Sequence, residues 1–293
     1  MSDYLKIMFG KASTAFFLFA IFLSAGSYVK LSQTERPPVD EKISSDKIEA
    51  AKQTVEFKSV SFAFDPKIFG EVTSAELEER LLENATDKPD NVAPRRIAFK
   101  LRKPGQPREA TITVYPIADF RRVWAPAEKN WTKQFDKDLR DLRKTINNTD
   151  FRVENEIPYL PFVDASQTFQ AKVKKFVFPS GEGIFFLTQI DIERSLVNNE
   201  GLTYLFQGIS SDGKHYVLAE FPVSVSFLPR NYEANEFEGY RLPDNFFADP
   251  SHEKTFQVYV SNVRERLEKL PSYAFAPPLT SFEAVISSLK IAK

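Results

Sequence analysis

The stretch LTYLFQGISSDGKHYVLAEFPV, from Leu202 to Val223, predicts a β-hairpin. Its centre, Asp212-Gly213, is typical of a two-residue turn, because both residue types tolerate positive φ angles. In that register Ser210 faces His215, and opposed residues share a face of the hairpin. One face predicts a core-facing surface, with His215 at its end beside the turn: it carries Leu202, Tyr204, Phe206, Val217, Ala219, Phe221 and Val223.

The same stretch contains one of the chain's two histidines, which raises the alternative of a catalytic cluster. His215 would act as a general base for Ser210 or Ser211, oriented by Asp212. Against this, a turn aspartate most readily bonds its own backbone, and Ser211 points to the face opposite His215. The chain also lacks a G-x-S-x-G nucleophile elbow. The stretch therefore predicts a structural turn.

The segments around the hairpin predict a sheet covered by helices. Strands are expected at 55–66, 95–101, 110–117, 168–178 and 183–193, because they are rich in apolar and β-branched residues and end at turn signals. Capping residues and helical spacing of apolar residues predict helices over 73–85, 128–147, 248–270 and 277–291. Thr73 with Glu76 and Thr280 with Glu283 have capping-box spacing, and Asp249 is a candidate N-cap with Pro250 at the first helical position. The expected fold class is α+β, a mostly antiparallel sheet with helices packed on its faces, similar to an α/β/α sandwich.

Composition excludes several classes of function. The 28 phenylalanines predict an aromatic core, and a net charge of −1 provides no field for nucleic acid. The chain has no cysteine, no P-loop and no G-x-G-x-x-G motif, so no cofactor is expected. With two histidines, one of them His252 near a helix start, no transition-metal site is expected either. Asp87 to Asn91 has the composition of a calcium ligand set but not the spacing, and a polar loop is the favoured interpretation.

The N-terminus predicts export. Lys6 and Lys11 precede an uncharged run from Ala15 to Gly26, which is typical of a signal peptide. The alternative is an uncleaved anchor over residues 15–28, although a spanning helix needs about 20 apolar residues. The expected organisation is a signal or anchor at 1–26, a polar tether at 27–53 and one globular domain at 54–293, in the periplasm or outside the cell.

The residues suggest two kinds of site. Aromatic side chains in or near loops, Trp124, Tyr159 and Phe162, are candidates for a ligand-binding platform. Asp191 and Glu193 share a strand face in the predicted strand and are placeholders for paired-carboxylate chemistry. The expected function is an exported, non-catalytic binding or scaffold module for an envelope protein, peptide or glycan. The alternatives are an envelope hydrolase and an accessory subunit of an envelope complex.

Segments across most of the chain resemble a family of secreted bacterial proteins and lipoproteins from cyanobacteria and Chloroflexi, whose function is unassigned. The most specific are FQG-x-x-x-DGK-x-Y, beginning at Phe206, and FLTQ, beginning at Phe186; the others are VSFAFDPKIFGEVT, ITVYPIADF, LPFVDASQTFQAKVKKFVFPSGEGIFFLTQ and FAPPLTSFEAVISSL. The resemblance implies an exported, envelope-associated domain and brings no catalytic residues. The family's lipobox cysteine is missing here, where the chain has Ser24-Ala25-Gly26-Ser27, so lipid anchoring is not expected. The long strands also resemble the α/β/α sandwich of PsbP-like proteins.

Overall fold

The computed structural model describes residues 52–81, 92–126, 131–148, 157–161 and 164–292. Its centre is a sheet of seven strands in the order β3-β4-β5-β11-β10-β8-β7, in which every neighbouring pair is antiparallel. These strands are β3 (Glu71–Leu77), β4 (Arg96–Arg102), β5 (Ala110–Pro116), β7 (Ala171–Phe178), β8 (Gly181–Thr188), β10 (Thr203–Ser210) and β11 (His215–Pro222). The α+β fold class with a mostly antiparallel sheet is therefore confirmed.

The central hairpin forms in the predicted register. Tyr204 pairs with Phe221 and Phe206 with Ala219 across β10 and β11. The turn differs from the predicted two-residue turn at Asp212-Gly213. Gly213 N donates to Ser210 O at 2.8 Å, so Ser211 and Asp212 are the central residues of the turn. Gly213 follows them at a φ of 70°, in the left-handed region that glycine enters at little cost, and Asp212 does not share this conformation. Local turn chemistry and side-chain alternation together fix this register, since a slip by one residue would move the apolar face to the other side of the sheet.

Shorter strands surround the sheet. A separate three-stranded sheet is formed by β1 (Gln53–Phe57), β2 (Val60–Phe64) and β16 (Lys290–Ile291). Two-residue strands pair as β6 (Ser166–Gln167) with β9 (Ile190–Asp191), β12 (Ser224–Val225) with β15 (Phe275–Ala276), and β13 (Glu236–Phe237) with β14 (Tyr240–Arg241).

Helices pack on both faces because side chains alternate along each strand. One face buries Phe185, Tyr204 and Phe221 in a core shared with α4 (Pro250–Lys269) and α5 (Leu279–Ile286). The other buries Phe186, Leu205 and Tyr216 against α2 (Ile117–Trp124) and α3 (Trp131–Asn147). The remaining helical segments are short: α1 (Pro66–Phe69) and two 3₁₀ turns, Phe246–Ala248 and Ser272–Ala274.

The structure contains the helix cap predicted for α4 but not the one predicted for α5. Asp249 caps α4 as predicted: its side chain accepts from Ser251 N at 2.8 Å, and Pro250 occupies the first helical position. The capping box predicted for Thr280 and Glu283 is wrong, because α5 begins after Pro278 without a side-chain cap. Glu283 instead forms an ion pair with Lys174 of β7, at 2.6 Å.

Several predicted elements differ from the structure. The helix expected over 277–291 ends at Ile286, and Lys290–Ile291 is strand β16. The strand expected over 183–193 is divided into β8 and β9. The helix expected over 73–85 is instead β3 up to Leu77, paired along its length with β4. The single strand expected over 55–66 is the β1–β2 hairpin, which turns at Lys58 with a φ of 53°. The N-terminal signal or anchor, the Asp87–Asn91 loop and Phe162 lie outside the described residues. Among the helices that the structure describes, none is long and apolar enough to cross a membrane.

Candidate functional site

A loop from Ile157 to Pro161, here called the tyrosine loop, lies on the α2–α3 side of the sheet and carries Tyr159. Gln207 of β10, with 0% exposure, holds it there. The Gln207 Nε2 donates to Pro158 O at 2.8 Å, and the Oε1 accepts from Leu160 N at 3.2 Å. Tyr216 adds a third attachment, because its hydroxyl donates to Leu160 O at 2.6 Å. The position of Tyr159 is thus set by buried polar groups of the central hairpin.

A groove of about 920 Å³ separates the tyrosine loop from α3. Trp131 and Tyr159 give it aromatic surface, and the other side chains are mostly polar. Its lining includes Trp131, Gln134, Lys137, Asp138, Asp141, Lys144, Asn148, Tyr159, Ser166 and Gln167.

Two aspartates of α3 line this groove in different electrostatic settings. Partial burial raises the pKa of Asp138, whose Oδ1 accepts from Gln134 Nε2 at 2.7 Å. Hydrogen bonds and ion pairs with Lys137, at 3.0 Å, and Lys144, at 3.3 Å, lower the pKa of Asp141. The two residues are three positions apart, so they lie on neighbouring turns of one helix face.

A second concavity, here called the cleft, has a volume of about 480 Å³ and also contains Tyr159. Groove and cleft therefore adjoin, because Tyr159, Ala165 and Ile190 line both of them. The polar groups of the cleft are Arg108, Tyr159, Glu200, Thr203, Glu220 and Tyr232.

Arg108 forms hydrogen bonds with the start of β10 and the segment that precedes it. Its Nη1 donates to Glu200 O at 2.6 Å and to Leu202 O at 3.3 Å, and its Nη2 donates to Thr203 Oγ1 at 2.8 Å. Partial burial lowers the pKa of this guanidinium. Among the described residues, no carboxylate comes within ion-pair distance of it, and the charges of Glu220 and Glu200 act on it from further away.

Glu220 also lines the cleft. Its Oε1 accepts from the Tyr159 hydroxyl at 3.2 Å, and its Oε2 accepts from Thr111 Oγ1 at 3.2 Å. Burial of the phenol, with the Glu220 charge beside it, raises the pKa of Tyr159 well above its ordinary value. Tyr159 is therefore a neutral hydrogen-bonding group at neutral pH.

Asp191 has a structural environment. Its Oδ2 accepts from Thr168 Oγ1 at 3.1 Å, Gln189 Nε2 at 2.7 Å and Ser195 Oγ at 2.8 Å. Its Oδ1 accepts from the Tyr232 hydroxyl at 3.2 Å. A carboxylate with four donors anchors the surrounding loop, and its lone pairs are largely occupied.

The candidate residues that the sequence suggests lie in different places in the structure. Tyr159 lies where groove and cleft meet. The expectation that Trp124 lies in or near a loop with its ring exposed is wrong. Trp124 is 2% exposed, because its position at the end of α2 points into the α2–α3 core. Its Nε1 donates to Val92 O. Glu193 is exposed and lies beyond the end of β9, so it does not share a strand face with Asp191.

The turn residues of the hairpin have the structural roles that the sequence predicts. Asp212 Oδ1 accepts from Ser210 Oγ at 2.6 Å and from Lys214 N at 3.1 Å. Ser210 Oγ in turn accepts from the backbone N of His215 at 2.9 Å. Ser210 thus bonds the turn itself, and its hydroxyl is oriented by Asp212 and the His215 backbone.

Sequence reasoning missed the residues that build the site. Gln207 and Tyr216, which hold the tyrosine loop, belong to the FQG-x-x-x-DGK-x-Y segment, and both are buried. A glutamine in an otherwise apolar strand is the one available signal, because a buried amide needs partners and so predicts a neighbouring loop. Arg108 and Glu220 carried no comparable signal.

Comparison with known proteins assigns no family to this chain. No protein-family model matches it, and no curated protein matches it significantly. The functional conclusion therefore rests on the geometry of the groove and the cleft.

Proposed function

We propose that this chain is a non-catalytic binding module of a bacterial cell envelope, and that the groove and the cleft together form its ligand site. The observation that carries the proposal is that two polar concavities share a tyrosine, on a loop held by buried hydrogen bonds. Binding sites need polar groups in fixed positions, and such anchoring supplies them. The export signal expected at residues 1–26 and the family resemblance support an envelope location.

The composition of the site favours a polar, extended ligand such as a peptide or a glycan. Trp131 and Tyr159 offer aromatic surface on which a sugar ring or a peptide side chain can pack. Charges of both signs on α3, together with amide and hydroxyl groups, suit a ligand with many hydrogen-bonding groups and little net charge.

The test is calorimetric titration of the full chain with soluble peptide and glycan fragments of bacterial cell wall. We expect binding that Tyr159→Ala weakens by about tenfold or more, the loss typical of a central interface aromatic. Tyr273→Ala is the matched control, because Tyr273 is exposed and lines neither concavity. The proposal fails if neither fragment class binds, or if both variants bind like the wild type.

A paired-carboxylate hydrolase is the second candidate, and Asp138 and Asp141 carry it better than Asp191 and Glu193. They line one groove, and their pKa values move in opposite directions, which is the arrangement that an acid and a base require. Mass spectrometry of cell-wall fragments incubated with the protein distinguishes the candidates. Cleavage that Asp138→Asn abolishes would establish the hydrolase, whereas unchanged fragments favour the binding module.

A further inference from the structure

We propose that the cleft binds a small zwitterion of the α-amino-acid type, either free or at the end of a peptide branch, with its carboxylate on Arg108 and its ammonium group at Glu220. This inference rests on the proposed binding function and names the chemical class of ligand for one half of that site.

Arg108 retains unused donors after its structural bonds are made. A guanidinium has five N–H groups, and the bonds to Glu200, Leu202 and Thr203 use three of them. The Nε–H and the second Nη2–H have no partner among the described residues. A guanidinium binds a carboxylate through two parallel hydrogen bonds from neighbouring N–H groups, and Arg108 has two N–H groups to offer.

The charge of Arg108 also calls for an anion. The group is partly buried, and an arginine side chain stays protonated in proteins. Buried charges are usually paired, yet the part of the chain that the structure describes places no carboxylate within 4.0 Å of this one. A ligand carboxylate would supply the missing charge.

Glu220 provides the complementary acceptor. Each of its oxygens accepts one hydrogen bond, from Tyr159 and from Thr111, so each retains room for a second. Glu200 also lines the cleft. A ligand that is only anionic would meet these two carboxylates, and a ligand that is only cationic would meet Arg108. A zwitterion matches both signs.

The cleft has a volume of about 480 Å³, which leaves room for a small amino acid. A Cβ placed on Gly201 would lie 2.5 Å from the Tyr232 hydroxyl and 2.7 Å from the Gln189 side chain. Glycine therefore allows Tyr232 to pack against the cleft wall, and Tyr232 and Tyr159 both line the cleft.

The test is calorimetric titration of the full chain with glycine, both enantiomers of alanine, acetate and methylamine. We expect at least one amino acid to bind, and acetate and methylamine to bind at least about tenfold more weakly, because each satisfies only one charge. Arg108→Gln and Glu220→Gln should each weaken amino-acid binding by about tenfold or more. Arg143→Gln, which removes an exposed arginine outside the cleft, should have no effect.

Arg108→Gln also removes bonds to the segment before β10, so circular dichroism must show that the variant folds. If it unfolds, Glu220→Gln carries the test alone. Equal affinity for acetate and glycine, or full binding by Glu220→Gln, would overturn the inference. If no amino acid binds but cell-wall fragments bind in a Tyr159-dependent manner, this inference fails and the proposed function stands. If neither the cell-wall fragments nor the amino acids bind, the proposed function and this inference are both refuted.

Discussion

Replacing Gln207 with leucine removes the main attachment of the tyrosine loop. Leucine has a similar volume, but the Leu160 N–H and the Pro158 carbonyl lose their partner in a region where Gln207 itself is 0% exposed. The Tyr216 hydroxyl keeps its bond to Leu160 O. An unsatisfied buried polar group costs about 1–3 kcal/mol, so the buried Leu160 N–H predicts a loss of about 1–3 kcal/mol from the free energy of unfolding. The Pro158 carbonyl is only partly buried and adds less.

Urea denaturation followed by circular dichroism measures this loss. We expect the midpoint to fall for Gln207→Leu with an unchanged slope, because the amount of surface exposed on unfolding stays the same. Gln257→Leu, on the exposed surface of α4, is the matched control and should change stability by less than about 0.5 kcal/mol. A loss below about 1 kcal/mol for Gln207→Leu would refute the reasoning that buried hydrogen bonds hold the loop.

Three further predictions follow from particular side chains. Of the chain's two tryptophans, Trp124 is buried and Trp131 lines the groove. Acrylamide should therefore quench the fluorescence of Trp124→Phe, which retains Trp131, far more strongly than that of Trp131→Phe, which retains Trp124. Equal quenching would contradict the placement of these residues. Burial raises the pKa of Asp138 in the folded state, so the charged form of this side chain destabilises the protein above that pKa. Hydrogen bonds with Lys137 and Lys144 lower the pKa of Asp141, so the charged form of that side chain stabilises the protein. Asp138→Asn should therefore raise the melting temperature at about pH 7, Asp141→Asn should lower it, and both effects should shrink at about pH 3; effects that do not change with pH would exclude this cause. Phe282 is buried and stacks on a sheet phenylalanine at 4.6 Å, so Phe282→Ala should cost about 3–5 kcal/mol in urea denaturation, and a loss below about 1 kcal/mol would contradict its core position.

Elements whose signals are local could be predicted from the sequence. The Asp212-Gly213 turn and the alternation around it fix the central hairpin, and the apolar stripe of α3 fixes that helix. The segment from Glu71 to Leu77 shows the limit of such reasoning. Its capping-box spacing favours a helix, but pairing with β4 completes an edge of the sheet, and tertiary pairing outweighs a weak local preference.

The candidate site was less predictable because its residues meet only in the folded chain. Tyr159 could be predicted as a loop residue, because Pro158 and Pro161 flank it in the sequence, and that loop lies in the site. Gln207 bonds a residue 47 positions away, and Arg108 bonds a residue 95 positions away, so no local pattern marks either of them. Trp124 was misjudged because its nearness to a loop in sequence says nothing about the direction of its side chain on α2.

The most direct test of the central claim is amide hydrogen exchange of the full chain with and without soluble cell-wall peptide and glycan fragments. The account predicts that a bound fragment slows exchange in Ile157–Pro161 and in the peptides that contain Arg108 and Thr203, because these segments enclose the groove and the cleft. Protection confined to α4 and α5, on the other face of the sheet, would contradict it.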